Sequence, residues 1–170
     1  MLAALVSAAA LAVLAGQDAR PPQSNVVQNT ANIAAGERLV IRQTADGIEA
    51  VQATRGGPER TLQEAGPGAT PNSLVRTAPG TIAFSLGGSR ETGSLLMVEN
   101  ATGQTIAYDA YIVRYVGGQA HGPHRTNVCT VPSGLAVIEH WPEPVIQAVV
   151  GNVRVVEGDN PVCEPQSVAE

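Results

Sequence analysis

The stretch SLLMVENATGQTIAYDAYIVRYV, Ser94 to Val116, decides the fold. An apolar run, Leu95–Val98, meets a turn at Asn100-Ala101-Thr102-Gly103, and a second run, Ile106–Val116, follows. β-Branched and aromatic side chains suit a pleated surface, while Asn and Gly supply the turn. One face of the second run carries Ile106, Tyr108, Ala110, Ile112, Arg114 and Val116; the other carries Ala107, Asp109, Tyr111, Val113 and Tyr115. Both faces are mainly apolar with one charge apiece, which predicts a central strand with wet ends, paired with Leu95–Glu99 in a central hairpin. Asp109 and Arg114 fall on opposite faces and cannot pair with each other across the strand.

Working outward, the N-terminal side offers Leu39, Ile41 and Gln43 alternating with Arg38, Val40 and Arg42, then Thr44-Ala45-Asp46-Gly47, then IEAVQAT. Asp-Gly is the dipeptide of a type I′ turn, so Glu37–Thr54 reads as a hairpin. Thr81–Leu86 alternates Ile82, Phe84 and Leu86 against Thr81, Ala83 and Ser85, as a half-buried strand does. Between them, Arg55–Gly80 is rich in Gly and Pro and shows no sustained period. It reads as a long loop, either a mobile crossover or a binding loop. On the C-terminal side a loop, Gly117–Pro123, precedes the runs Thr126–Val131, Leu135–Trp141, Val145–Val150 and Asn152–Val156, which are cut by Pro and Gly.

These elements predict an all-β fold: an antiparallel β-sandwich, Ig-like or related, of about nine short strands, preceded by an N-terminal signal helix. The expected division is a signal peptide over 1–15, a flexible segment over 16–36, one sandwich domain over 37–164 with its long loop at 55–80, and a tail over 165–170. Met1–Ala15 is an uncharged apolar run, too short to span a bilayer but suited to a signal-peptide core. Val13 and Ala15 supply small residues for cleavage before Gly16, although the positive residues that usually open such a signal are missing. A membrane contact is expected only through this leader, if it is uncleaved.

The net charge is −5, and the ten basic residues are all Arg. With no basic patch, nucleic-acid binding is not expected. Aromatics are scarce: one Trp, one Phe and three Tyr. The core must therefore be built from aliphatic side chains.

Two cysteines behind an export signal read as a disulfide, Cys129–Cys163, closing a loop of about 34 residues. The alternative, free thiols in a metal site, lacks a C-x-x-C pair. His121-Gly122-Pro123-His124 places two imidazoles in a loop, and Glu139-His140 adds a carboxylate and a third imidazole. Zinc or copper would accept His121, His124 and His140 as ligands. Glu139 and Glu143 flank Trp141, and carboxylates beside an aromatic ring could bind or cleave a sugar. The simpler reading has Trp141 capping the core and Pro142-Glu143-Pro144 turning the chain. No G-x-S-x-G elbow is present, and the Gly pairs lack the following helix that a phosphate cradle needs.

The tract LLMVENATGQTIAYDAYIVR, followed by RTNVCTVPSG, IEHWPEPV, NVRVV and VC, is similar to the closing half of small secreted bacterial proteins of unknown function. That resemblance, centred on Cys, Glu-x-Trp-Pro and Cys, implies export and a disulfide-tied β fold and carries no activity. The sequence thus leads to an exported, non-catalytic protein that acts by binding in the periplasm or cell envelope. The partner expected is another protein, met at Arg55–Gly80 or at a surface of Trp141, Glu139 and Glu143. The alternative is a periplasmic zinc- or copper-binding protein. A small hydrolase using Glu139 or Glu143 stands third.

Overall fold

The computed structural model describes residues 21–89 and 91–163. The expected leader, the start of the N-terminal segment and the C-terminal tail lie outside the described residues. Along the chain run β1 (Asn25–Val27), β2 (Thr30–Ala34), β3 (Glu37–Thr44), β4 (Gly47–Arg55), α1 (Pro58–Ala65), β5 (Ile82–Ser89), β6 (Gly93–Asn100), β7 (Ile106–Val116), β8 (Gln119–Thr126), β9 (Ala136–Trp141) and β10 (Val145–Val155). They form two five-stranded antiparallel sheets, ordered β1-β2-β10-β7-β8 and β4-β3-β5-β6-β9. The inner faces meet in one core, with Ile33, Leu39, Ile41, Phe84, Leu96 and Ile106 fully buried. Phe84 and Tyr108 pack edge to face across it, with ring centroids 5.8 Å apart.

The all-β sandwich is as expected; several connections are not. β6 and β7 do not form a hairpin: β6 pairs with β5 and β9, and β7 with β10 and β8. The turn after Asn100 crosses from one sheet to the other. Asn100, fully buried, holds the crossover by donating to the Gln104 and Val131 carbonyls at 2.7 and 2.8 Å and accepting from the Thr102 amide at 3.0 Å. A turn motif looks the same whether the next strand returns alongside or passes to the facing sheet.

The β3–β4 hairpin is present, but Thr44 pairs with Gly47, so Ala45 and Asp46 are the central residues. Of these turn residues Gly47 has positive φ, +138°, and a Cβ there would strike the Asn29 side chain. The turn is therefore not type I′. Part of the segment expected to be flexible, residues 16–36, lies in the sheet as β1 and β2. Glu37 fastens it: its carboxylate accepts from the Gln23 and Ser24 amides and the Ser24 hydroxyl at 2.7–3.0 Å.

The Gly- and Pro-rich segment 55–80 is not one structureless loop. It folds into α1 and a run of turns on the outer face of the second sheet. Leu74 is buried there with Met97 and Ala136, and Leu62, Ala65 and Val75 pack alongside. This cover explains why Ile82–Leu86 is buried on both faces. Beneath it, Glu99, fully buried, takes a bidentate contact from Arg38 at 3.0 Å and accepts the Arg76 amide at 2.7 Å.

The expected loop 117–123 is mostly strand. β8 tolerates Pro123 because it is an edge strand. Gly122, at φ +132°, stands where a Cβ would come within 2.6 Å of the Ile112 carbonyl. The expected strand Thr126–Val131 is reduced to single bridges, Cys129 to Cys163 and Val131 to Ile106. The last two expected strands are one, β10, which is irregular between Gly151 and Arg154.

Candidate functional site

The cysteines form the disulfide Cys129–Cys163. It lies against β9, whose residues alternate between core and solvent: Val137, Glu139 and Trp141 face inward, while Ile138 and His140 face out. Trp141 is only 8 % exposed, and its indole donates to the Thr126 hydroxyl at 2.9 Å. It seals the core and offers no contact surface, which corrects its place among the binding candidates.

Glu139 enters the same edge of the core. Its carboxylate accepts the Cys129 amide at 2.8 Å. Burial pushes its pKa up, with the Cys129 amide pulling the other way. The neighbouring Tyr108 hydroxyl is fully enclosed, and burial and the Glu139 charge hold its pKa well above the usual range. The two groups feel each other electrostatically, yet the hydroxyl makes no well-formed hydrogen bond among the described residues. Glu143 sits apart, at the β9–β10 turn, 3.6 Å from Arg114. The two carboxylates thus have separate partners, and neither is aimed at a shared cleft.

The histidines divide between the sheets. His124 pairs with Ile112 and His121 with Arg114, so both share the inward-directed side of the edge strand β8, and both are exposed there. Two residues of β8, Gly122 and Pro123, oppose the single Val113, and this bulge brings histidines three positions apart onto one face. His140 belongs to the other sheet and the opposite face of β9, where its Nε2 donates to the Thr92 carbonyl at 2.8 Å. Among the described residues no three His, Cys, Asp or Glu side chains are placed together to hold a metal ion. The expected ligand set does not assemble, because strand pairing carries His140 to a different layer.

A pocket of about 390 Å³ opens at one end of the sandwich, lined by Gly36, Glu59, Gly87, Ser89, Ser94 and Val145 among others. Much of its polar lining is engaged by the chain itself. Ser94 Oγ donates to the Glu143 carbonyl at 3.0 Å and accepts the Val145 amide at 2.8 Å. Glu59 lies over Gly87, where a Cβ would meet its carboxylate at 2.4 Å.

The remaining feature is the outer face of the sheet β1-β2-β10-β7-β8. The alternate face of β7 was expected to be buried; instead Tyr111 and Tyr115 are 36 % and 49 % exposed. Tyr111 stands in a row that crosses all five strands: Asn25, Asn32, Val149, Tyr111 and Arg125. The Gln147 amide donates to Asn32, and the Asn32 amide to Asn25, each at 3.3 Å. Asp109 accepts from Asn152 at 3.0 Å and lies near Arg154 and Arg125, at 3.6 and 3.9 Å. Sequence reasoning missed this surface. The signal was there in two tyrosines four residues apart on one strand face, but an aromatic face also reads as core.

No protein-family description, curated protein or solved structure matches this chain.

Proposed function

We propose that this is an exported, non-catalytic β-sandwich, Ig-like or related, that acts in the periplasm or cell envelope by binding through the outer face of β1-β2-β10-β7-β8. The observation that carries this reading is the contrast between the two outer faces. The chain covers the middle of one, at Met97 and Ala136, with its own segment 55–80, while the other presents Tyr111 and Tyr115 to solvent. Three of the candidate groups have partners within the chain: Glu139 on the Cys129 amide, His140 on the Thr92 carbonyl, Glu143 beside Arg114. The disulfide is compatible with an oxidising compartment, and the apolar run Met1–Ala15 supplies the expected export signal.

Retention on isolated envelope material tests the reading. The oxidised protein should be retained, the double variant Tyr111→Ser/Tyr115→Ser should wash through, and Val51→Ser, on the exposed edge strand β4, should behave as the parent. Equal retention of all three would place the contact elsewhere. Recovery of the protein in the cytosol with reduced thiols would overturn export.

A further inference from the structure

The pocket at the end of the sandwich draws on both sheets. Ala35 and Gly36 come from the β2–β3 turn, Gly87 and Gly88 from the end of β5, and Pro144 and Val145 from the entry to β10. Hydrogen-bond donors there are already committed. The Gly36 amide donates to the Leu86 carbonyl at 2.8 Å and the Ala35 amide to the Ile146 carbonyl at 3.0 Å. The Val145 amide donates to Ser94 Oγ at 2.8 Å, and that hydroxyl donates to the Glu143 carbonyl. Ser89 is held in its turn by Thr92.

Glu59, on α1, differs. Its carboxylate is exposed at the pocket, and among the described residues no hydrogen bond or ion pair reaches it. Arg60, beside it in the chain, is turned to Glu64 at 2.9 Å, and no basic residue lines the pocket. Two glycines make its seat. A Cβ on Gly57 or on Gly87 would stand 2.4 Å from a carboxylate oxygen. Neither glycine has positive φ, so what the missing side chains supply is room, not conformation. The helix dipole accounts for an acid in the first turn of α1, but not for bare backbone on both sides of it.

We infer that this pocket binds a cationic group on a short apolar stem, an alkylguanidinium or alkylammonium. Its volume, about 390 Å³, belongs to the small end of ligand pockets, which run from about 300 to 1,000 Å³. An anion would meet a carboxylate and amides that are already bonded. A wholly apolar ligand would strip water from Glu59 and give nothing back. A cation supplies the N–H groups that the carboxylate lacks, in charge-assisted hydrogen bonds, while its stem lies on Ala35, Pro144 and Val145. Neither Tyr111 nor Tyr115 lines the pocket, so the site is independent of the open face. Such a group comes from a free small molecule or from a basic side chain of a peptide, and the test has an arm for each.

The test is a titration of the isotope-labelled, oxidised protein, read from its amide chemical shifts. The probes are n-butylguanidinium, a blocked peptide with one arginine between glycines, and neutral n-butanol. Saturable shifts are expected at Gly36, Gly87 and Gly88 with at least one cationic probe, and none at Gly103, in the turn at the opposite end of β6. n-Butanol should leave the pocket amides unmoved. Glu59→Gln should weaken binding roughly five-fold, and added salt should weaken it in the parent more than in this variant. Gly57→Ala keeps the charge but pushes it off its seat, and should weaken binding as well. Tyr111→Ser/Tyr115→Ser should bind as the parent does. Thermal unfolding checks that each variant is folded; should Gly57→Ala not fold, Glu59→Gln alone decides. Tighter binding of the peptide assigns the group to a peptide partner, tighter binding of n-butylguanidinium to a small molecule, and either supports the site. No saturable shift with either cation, equal shifts with n-butanol, or unchanged binding by Glu59→Gln overturns the inference.

Discussion

Two carboxylates show how burial and hydrogen bonding pull in opposite directions. Glu139 has its pKa raised by burial, so the folded protein holds its proton more tightly than the unfolded chain. Stability from this group is therefore fullest below the ordinary glutamate value near 4.5 and is lost as pH rises from there through the raised folded value. Glu139→Gln removes the buried charge and keeps an oxygen for the Cys129 amide, while its new N–H can donate to the Tyr108 hydroxyl. We expect a gain of about 1 kcal/mol at neutral pH, or about 2–4 °C in Tm. The gain should shrink in acid, as thermal unfolding over a pH series would show. Glu37 behaves the other way. Burial pushes its pKa up, but the Ser24 hydroxyl, the Gln23 and Ser24 amides and Arg55 outweigh it, and the net shift is downward. Its contribution is present above the ordinary value and is lost as pH falls through the folded one. Glu37→Gln should cost about 1–3 kcal/mol at neutral pH and make residues 21–34 more open to proteolysis, and the penalty should narrow in acid. A constant penalty across pH would show that the charge of Glu37 is not what fastens the segment.

At the level of elements, segment 55–80 is the clearest difference between pattern and structure. Its Pro and Gly residues break any long period, so nothing local announces that α1 and Leu74 will cover a sheet. The complementary signal lies elsewhere in the chain, in Ile82–Leu86 and Leu96–Asn100, which are apolar or buried at successive positions and therefore need cover on both faces. Glu99 makes this layer sensitive, since it joins Arg38 on β3 to the Arg76 backbone. Glu99→Gln breaks a buried charge pair and should cost about 3 kcal/mol, with hydrogen exchange rising first in residues 58–79. Exchange rising equally everywhere would mean that the cover does not open as a separate unit. β8 was obscured for a related reason. His-Gly-Pro-His has little strand propensity, and it pairs because β7 offers a free edge and the bulge absorbs Gly122 and Pro123.

For the whole molecule, the disulfide ties the last described segment to the strand edge above Glu139. The Thr130 amide donates to the Val162 carbonyl and the Val162 amide to the Thr130 hydroxyl, at 2.9 and 2.8 Å. With 34 residues between the cysteines, the chain-entropy estimate is about 3–4 kcal/mol. Cys129→Ser/Cys163→Ser should lose that much in denaturant unfolding while tyrosine-dependent envelope retention persists, because the face proposed to bind is on the other side of β7. Loss of retention in the folded variant would tie the C-terminal segment to the contact. By itself the sequence determined the β class, the positions of β3 to β7, β9 and most turns, and the pairing of the only two cysteines. Each of these follows from alternation, turn chemistry or cysteine number, which act over a few residues or need no partner choice. Only the tertiary structure decided which sheet each strand joined, that Trp141 is sealed in while Tyr111 and Tyr115 stand out, and that His140 parts from His121 and His124. An apolar strand face reads the same whether another layer covers it or not, and that choice is made by burial between residues far apart in the chain.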